Sequence, residues 1–543
     1  MVSNAVEAAP ERMSLAVRAA FVAVTLFLER WLLSFVINSV AMQTDTGITG
    51  AVWISQHWGI RFAVTLAIAL GAFSYVSDDP RLASCDRQVR KQPVRVAWLA
   101  LHAGCVLVLT VLLNFLYGPA TGHVTFSLVA VVPALIALAA GLALIRAMAP
   151  WALWWQACKA LGWLWLYAAL AAALATIAWQ LSQGLWQPTA KLTFDLVRLE
   201  LAPLLPGLQA DPAHLILNTQ RFAVQIQDAC SGLEGVGLML VFCCAWLLFF
   251  RKEYIFPRAL LLIPAGLTLI FILNILRIGV LVLMGHAGLV DIAIYGFHSQ
   301  AGWITFNCAA AAIVIVSRHS AWLNRSPARH AVLAKDNTTA AYLMPFLSIL
   351  AAGMISRAAS SGFENLYGLR LIAGALALSA YWPKLATIDW RFSWRGPVAG
   401  VLAFGVWWLG SDVLTATSAM PTALVTMSSL QRVLWIAART TTAVCVVPIA
   451  EELAFRGYLL RRIAAGDFES VDYRRVGRWA LLVSALVFGL AHGAMWLPAT
   501  AVGLIYGVLV IRRGRIGESV AAHVTTNGLI ALCVLLQGQW QLW

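Results

Sequence analysis

Long apolar runs alternate with short basic stretches over the whole chain, and this alternation, not a soluble helix or strand period, predicts the architecture. A membrane-spanning helix needs about 20 predominantly apolar residues. By that measure the first part of the chain offers about eight stretches, near 16–40, 60–77, 95–117, 123–148, 151–181, 232–250, 257–285 and 299–317. The second part offers about seven more, near 340–357, 367–381, 397–411, 421–450, 478–493, 495–511 and 517–537. Backbone polar groups in hydrocarbon must be satisfied within the protein, so such stretches fold as helices. The pattern predicts an all-α polytopic membrane protein of about 15 transmembrane helices in two bundles.

Two segments interrupt the pattern. Residues 182–230 carry Gln183, Gln187, Lys191, Asp195, Arg198, Glu200, Asp211 and Asn218 with several prolines, and read as an extramembrane loop or small cap. Residues 319–339 are basic and polar, and read as a linker between a first domain, 1–318, and a second, 340–543. Basic residues follow alternate stretches of the first domain: Arg81, Arg87, Arg90, Lys91 and Arg95, then Arg146, then Arg251, Lys252 and Arg258, then Arg318. Lys and Arg accumulate on cytoplasmic loops. The N-terminus and the linker are therefore expected in the cytoplasm, and residues 182–230 and 286–298 on the outer face.

Composition sharpens this reading. Of 543 residues, 61% are hydrophobic and 11% charged, against about 45–50% and about 25% in soluble domains. The mean hydropathy is +0.80. The net charge of +14 lies in inter-helix runs, and no basic surface with interleaved aromatics suggests nucleic-acid binding. Nine cysteines lie mostly within apolar stretches, where a thiol is usually a small hydrophobe. No CxxC pair occurs, which disfavours a zinc ribbon or a redox dithiol. The first apolar run has no A-x-A-like cleavage site and is not read as a signal peptide.

Polar residues inside the apolar stretches carry the chemistry, and they form two clusters. The first comprises QDACSGLEG at 227–235, NILRIG at 274–279 and YGFHSQAGW at 295–303. The expected topology brings Cys230, Arg277 and His298 to the outer ends of their helices. Taken alone, Cys230 reads as an inert thiol and His298 as an interfacial residue. Arg277 is harder to dismiss, because a charge within a span costs at least about 2.5–3.5 kcal/mol, although near an end it can snorkel. Together they suit acyl transfer. A thiolate attacks, an imidazole protonates the leaving amine and a guanidinium stabilises the oxyanion. One Cys, one His and an Arg make a poor metal site, so no cofactor is expected here.

The second cluster lies in EELAFRGYLL at 451–460, FGLAH at 488–492 and HVTTN at 523–527. Glu452 and Arg456 share a helix face by their i,i+4 spacing, as do Phe488 and His492, and His523 and Asn527. Single members are compatible with packing pairs, but three on neighbouring apolar spans need partners in hydrocarbon. A carboxylate with one His suits activation of water, and the other His with the Asn suits oxyanion stabilisation. The alternative is a divalent metal such as zinc on Glu451, His492 and His523, although HExxH is absent.

DACSGLEG, NILRI and the later His298 resemble the exosortase/archaeosortase family of polytopic membrane transpeptidases. EExxxR, FxxxH and HxxxN, over about 340–537, resemble the motifs of the CPBP intramembrane proteases related to CaaX prenyl endopeptidases. Their fusion in one chain resembles the exosortase E/protease subfamily. The first resemblance implies that Cys230 is the nucleophile, with Arg277 and His298 as partners and Asn274 in support. It also implies exported substrates with a C-terminal sorting tail of a short motif, a transmembrane helix and a basic cluster, and the resemblance to the fused subfamily implies a motif of the Val-Pro-Glu-Ile-Asp type. An unidentified nucleophile would accept the acyl group. The second implies Glu451 and His492 at the nucleophilic water, His523 and Asn527 at the oxyanion, and Glu452 with Arg456 as structural support. The fused subfamily implies a bacterial inner-membrane protein, and the expected topology puts the cysteine site at its periplasmic face. A transporter would instead show paired, Gly/Pro-broken repeats, which are not found. An immunity-type membrane protein with a non-catalytic second half is the other alternative.

Overall fold

A computed structural model describes residues 14–34, 62, 65–71, 79–117, 131–227, 230–325, 337–411 and 419–543. Most of the span expected near 60–77, the motif residue Asp228 and the middle of the linker, 326–336, lie outside the described residues. The described helices are α1 (Leu15–Ser34), α2 (Pro80–Lys91), α3 (Val96–Tyr117), α4 (Val131–Met148), α5 (Trp151–Leu161), α6 (Leu164–Leu201), α7 (Leu233–Phe249), α8 (Leu262–His286), α9 (His298–His319), α10 (Thr338–Ala358), α11 (Gly368–Leu385) and α12 (Arg395–Gly410). A continuous helical rod, α13, runs over Ser429–Ala464. It is followed by α14 (Arg478–Leu490), α15 (Trp496–Arg513) and α16 (Gly517–Gln537). The chain is an all-α polytopic membrane protein. Among the described residues seven helices are long and apolar enough to cross a membrane, eight if one bent pair counts as a single span, and three apolar helices are shorter.

The chain divides into two compact units, Met1–Leu185 and Trp186–Trp543, with the division inside α6. In the first unit α3 packs on α4 and α2 on α5. Arg18 of α1 is buried and donates to the carbonyls of Gln92 and Met148, which meets the requirement that a buried guanidinium find acceptors. His102 Nε2 lies 2.7 Å from Glu29 Oε1, tying α3 to α1. Pro150 precedes α5, and α4 and α5 meet at 86°, because proline cannot continue the hydrogen-bond ladder of the preceding helix. The span expected at 151–181 is itself broken at Gly162, whose φ of 47° ends α5.

The second unit departs from the predicted loop at 182–230. Helix α6 continues to Leu201. Gln187, Lys191, Asp195 and Arg198 are exposed on one face, while Ala190, Phe194, Val197 and Leu201 are buried on the other. That is the amphipathic period of a helix, and the polar residues had masked it. A three-stranded antiparallel meander follows, β1 (Gln209–Asp211), β2 (Ile216–Asn218) and β3 (Ala223–Gln225). Leu217 and Ile226 join the buried face of α6 against Ile278 and Val282 of α8. The segment is thus a small cap seated on one end of α8.

On the two sides of residues 326–336, α9 packs against α10. A π-helical turn at Ile292–Phe297 leads into α9, and its Gly296 lies so close to α10 that an added methyl would come within 2.1 Å of the Ser360 carbonyl oxygen and 2.8 Å of that of Arg357. Rod α13 also differs from expectation. The stretch 421–450 was expected to end just before the two glutamates, whereas the rod starts at Ser429, behind a capping box of Ser428 and Gln431, and carries Glu451 and Glu452 inside it. Two π-helical segments, Thr442–Val446 and Leu453–Leu459, flank that position. Single π turns recur at functional sites because they re-aim side chains. The core beside them is formed by Ala454, Phe455, Phe488, Val502 and Tyr506.

Candidate active sites

The first cluster forms where the cap meets α7, α8 and α9. Cys230 lies in a short helical turn whose amide donates to Gln227 O at 2.8 Å. Asn274 of α8 donates Nδ2 to Cys230 O at 3.2 Å. Ser231 is fully buried, and its carbonyl accepts from Thr193 Oγ1 of α6 at 2.9 Å. Gly232 has φ of 88°, in the left-handed region that favours glycine. A methyl there would stand 2.8 Å from Asn274 Nδ2. The CSG sequence is therefore a tight entry into α7, held from below by Asn274.

Arg277, one turn further along α8, is close enough to interact electrostatically with Cys230, Glu234 and His298. It reaches α9 through the gap left by Gly302, where an added methyl would lie 3.0 Å from Arg277 Nη1. Gly302 is four residues beyond His298 and shares its face. Cys230 and Arg277 are half-buried and His298 is exposed. The structure thus places two of the predicted residues, Cys230 and His298, within electrostatic reach of the third, Arg277. Glycines 232 and 302, to which the sequence alone assigns no role, make the approach possible.

The second cluster is built around a buried ion pair. Glu452 Oε1 accepts from Arg456 Nη1 at 2.8 Å and is 3.0 Å from His523 Nδ1 of α16. Arg456 also donates to Gly503 O at 3.2 Å. Its guanidinium sits 4.2 Å from the Phe488 ring centre and 5.3 Å from that of Tyr506, so π faces and hydrogen bonds together replace its hydration. A carboxylate only accepts, so His523 Nδ1 carries its proton and Nε2 turns away from Glu452. Nε2 is 4.0 Å from Glu451 Oε2, a gap too long for a direct hydrogen bond. Glu451 Oε2 is buried and has no hydrogen-bond partner among the described residues.

His492 Nδ1 faces Phe488 O at 2.7 Å. A carbonyl cannot donate, so Nδ1 carries the proton and Nε2 is the free acceptor in the neutral ring. Asn527 Nδ2 spends one hydrogen on Ala443 O at 2.7 Å, which leaves a second N–H. Glu451, His492, His523 and Asn527 all line one cavity of about 290 Å³. Sequence reasoning did not anticipate Tyr506, Trp407, Arg370 and Arg439 on its walls. Among the described residues no group of three or more His, Cys, Asp or Glu side chains is arranged to hold a metal. His523 commits one nitrogen to Glu452, and His492 commits one to a carbonyl. Such a bond on Nδ1 leaves Nε2 of either ring available to a proton, a water or a metal.

A fold of this kind, with two polar sites inside an all-α membrane protein, defines a polytopic membrane protein with two candidate reaction centres. More particularly, residues 61–315 match the family model of transmembrane exosortases of the EpsH type, and residues 433–529 match that of type II CAAX prenyl endopeptidases, Rce1-like. The two matches, joined in one polypeptide, place the chain among membrane proteases and transpeptidases. The first interval contains Cys230, Arg277 and His298, and the second contains all six residues of the other cluster. Comparison with curated proteins and with solved structures gave no match.

Proposed function

We propose that the chain is a bifunctional enzyme of the bacterial inner membrane: a cysteine transpeptidase in 1–318 that cleaves exported proteins near a C-terminal sorting tail, fused to an intramembrane endopeptidase of the CaaX type in 340–543. The convergence of Cys230 and His298 on Arg277 supports the first activity. The Cys230 thiolate attacks the scissile carbonyl, and Arg277 stabilises the oxyanion. His298 gives a proton to the departing amine, leaving a thioester for an acceptor amine or water. The topology inferred from basic residues puts this site at the periplasmic face, with the N-terminus cytoplasmic.

The second activity rests on the shared cavity of Glu451, His492, His523 and Asn527. Water held between Glu451 and His492 Nε2 gives a proton to Glu451 as its oxygen attacks the carbonyl carbon. Asn527 Nδ2–H and His523 meet the oxyanion, and Glu451 returns the proton to the amine as the C–N bond breaks. Glu452 and Arg456 hold His523 in position. We take this mechanism as metal-free, because among the described residues no three His, Cys, Asp or Glu side chains are grouped to hold a metal. Metal analysis of purified protein should find no stoichiometric zinc, and a chelator should leave peptide cleavage intact; zinc bound one to one and needed for activity would overturn it. For the first activity, Cys230→Ala should fold normally yet stop processing of a co-expressed substrate with a sorting tail.

A further inference from the structure

The rod α13 presents Arg439, Ala443, Val447 and Glu451 to the cavity. These residues recur every fourth position, so they form one stripe along the rod. The stripe has a cation at one end, a carboxylate at the other and small apolar residues between. Arg439 is half-buried inside a candidate span, where an unpaired charge is costly. Its Nη1 donates to the Tyr367 hydroxyl, and its guanidinium lies 4.5 Å from the Tyr367 ring centre and 5.6 Å from that of Trp543. Among the described residues no carboxylate is within ion-pair distance of it. The neighbouring Arg370 differs. Glu364 neutralises it through two hydrogen bonds of 2.7 and 2.8 Å, and its guanidinium is laid against Gly353. Arg439 is thus the cation left without a counter-charge at this end of the cavity.

We infer that Arg439 is a specificity-determining residue that binds a carboxylate of the peptide being cut. This deepens the peptidase reading of the Glu451 site and rests on it. The twelve residues from Arg439 to Glu451 rise about 18 Å along a helix, which an extended peptide covers in about five residues. The substrate is therefore a short apolar segment carrying a carboxylate, on a side chain or at a chain end, about five residues from the cleaved bond. Ala443 and Val447 leave room for apolar side chains, and the rings of Tyr367 and Trp543 lie beside the guanidinium.

The test uses the full chain in detergent and three fluorogenic peptides of one apolar sequence: one with a free C-terminal carboxylate, one amide-ended, and one amide-ended with a single Asp. Wild-type kcat/KM should favour an acid-bearing peptide over the amide-ended one by about 10- to 100-fold, the worth of a charge-assisted hydrogen bond. Which acid-bearing peptide wins assigns the carboxylate to a chain end or a side chain. Arg439→Gln should erase the preference through KM, and Arg439→Lys should restore part of it. Tyr367→Phe, which loosens Arg439 without removing it, should weaken the preference and carries the test if Arg439→Gln does not fold. A folded Arg439→Gln or Tyr367→Phe protein with undiminished preference overturns the inference. So does a wild type with no preference, or an effect of Arg439 only on dependence on anionic lipid. If no peptide is cut in a Glu451-dependent way, the peptidase reading itself falls.

Discussion

The two sites handle charge in hydrocarbon in opposite ways. Around Arg277 the groups are half-buried or exposed, Glu234 and His298 being open to the surroundings, and the guanidinium is admitted by the missing side chain of Gly302. Around Arg456 everything is sealed. Glu452 and Arg456 are fully buried, two aromatic rings flank the guanidinium, and Glu452 binds both Arg456 and His523. The first arrangement leaves its reactive groups accessible under a small β cap. The second fixes a frame from inside and leaves Glu451 Oε2 without a hydrogen-bond partner among the described residues. Access and rigidity are thus divided between the sites, and substitutions should separate them.

The largest difference is expected in stability. Arg456→Ala strands a buried carboxylate and should cost about 3–5 kcal/mol, whereas Arg277→Ala should cost about 1 kcal/mol or less, as for exposed pairs. Denaturation in detergent compares them; equal losses would break the contrast. Next, Glu451→Gln should slow peptide cleavage by about 10²–10⁴-fold, the usual share of acid–base catalysis. It should not lower the melting temperature, because Glu451 Oε2 gives up no hydrogen bond. Gly302→Ala should push Arg277 aside and reduce sorting-tail processing by about tenfold or more. Peptide cleavage at the other site should not change.

The smallest effect concerns pH. Burial pushes the Glu200 carboxyl above its ordinary value. One of its oxygens is buried without a partner, and the group lies against Gly279, where a methyl would meet it at 2.6 Å. The folded state then binds the proton more tightly than the unfolded chain. The stabilising contribution is full below the unfolded value and is lost as pH rises through the folded one. Glu200→Gln should therefore raise the melting temperature slightly at neutral pH, with the difference vanishing in acid. An equal gain at every pH would contradict this.

Much of this was legible in the sequence for a physical reason. Apolar length dictates helices in a membrane, and isolated polar residues in such helices are conspicuous, which is how Cys230, Arg277 and His298, and the six residues from Glu451 to Asn527, stood out. Three features were less legible. Continuation of α6 to Leu201 was hidden because its exposed face is polar and hydropathy alone does not see period. The position of Glu451 within rod α13 was missed because charges end an apolar window while a helix continues through them. Arg439 escaped notice because a lone Arg carries no motif, and only the four-residue stripe with Ala443, Val447 and Glu451, together with the cavity, gives it meaning. The supporting glycines, 232 and 302, signal nothing without a neighbour to approach.

The claim of two independent reaction centres in one chain is tested most directly by measuring both activities on the same two variants. Cys230→Ala should abolish processing of a substrate with a sorting tail and retain Glu451-dependent peptide cleavage. Glu451→Gln should do the reverse. Loss of both activities in either folded variant, or of neither, would contradict the account.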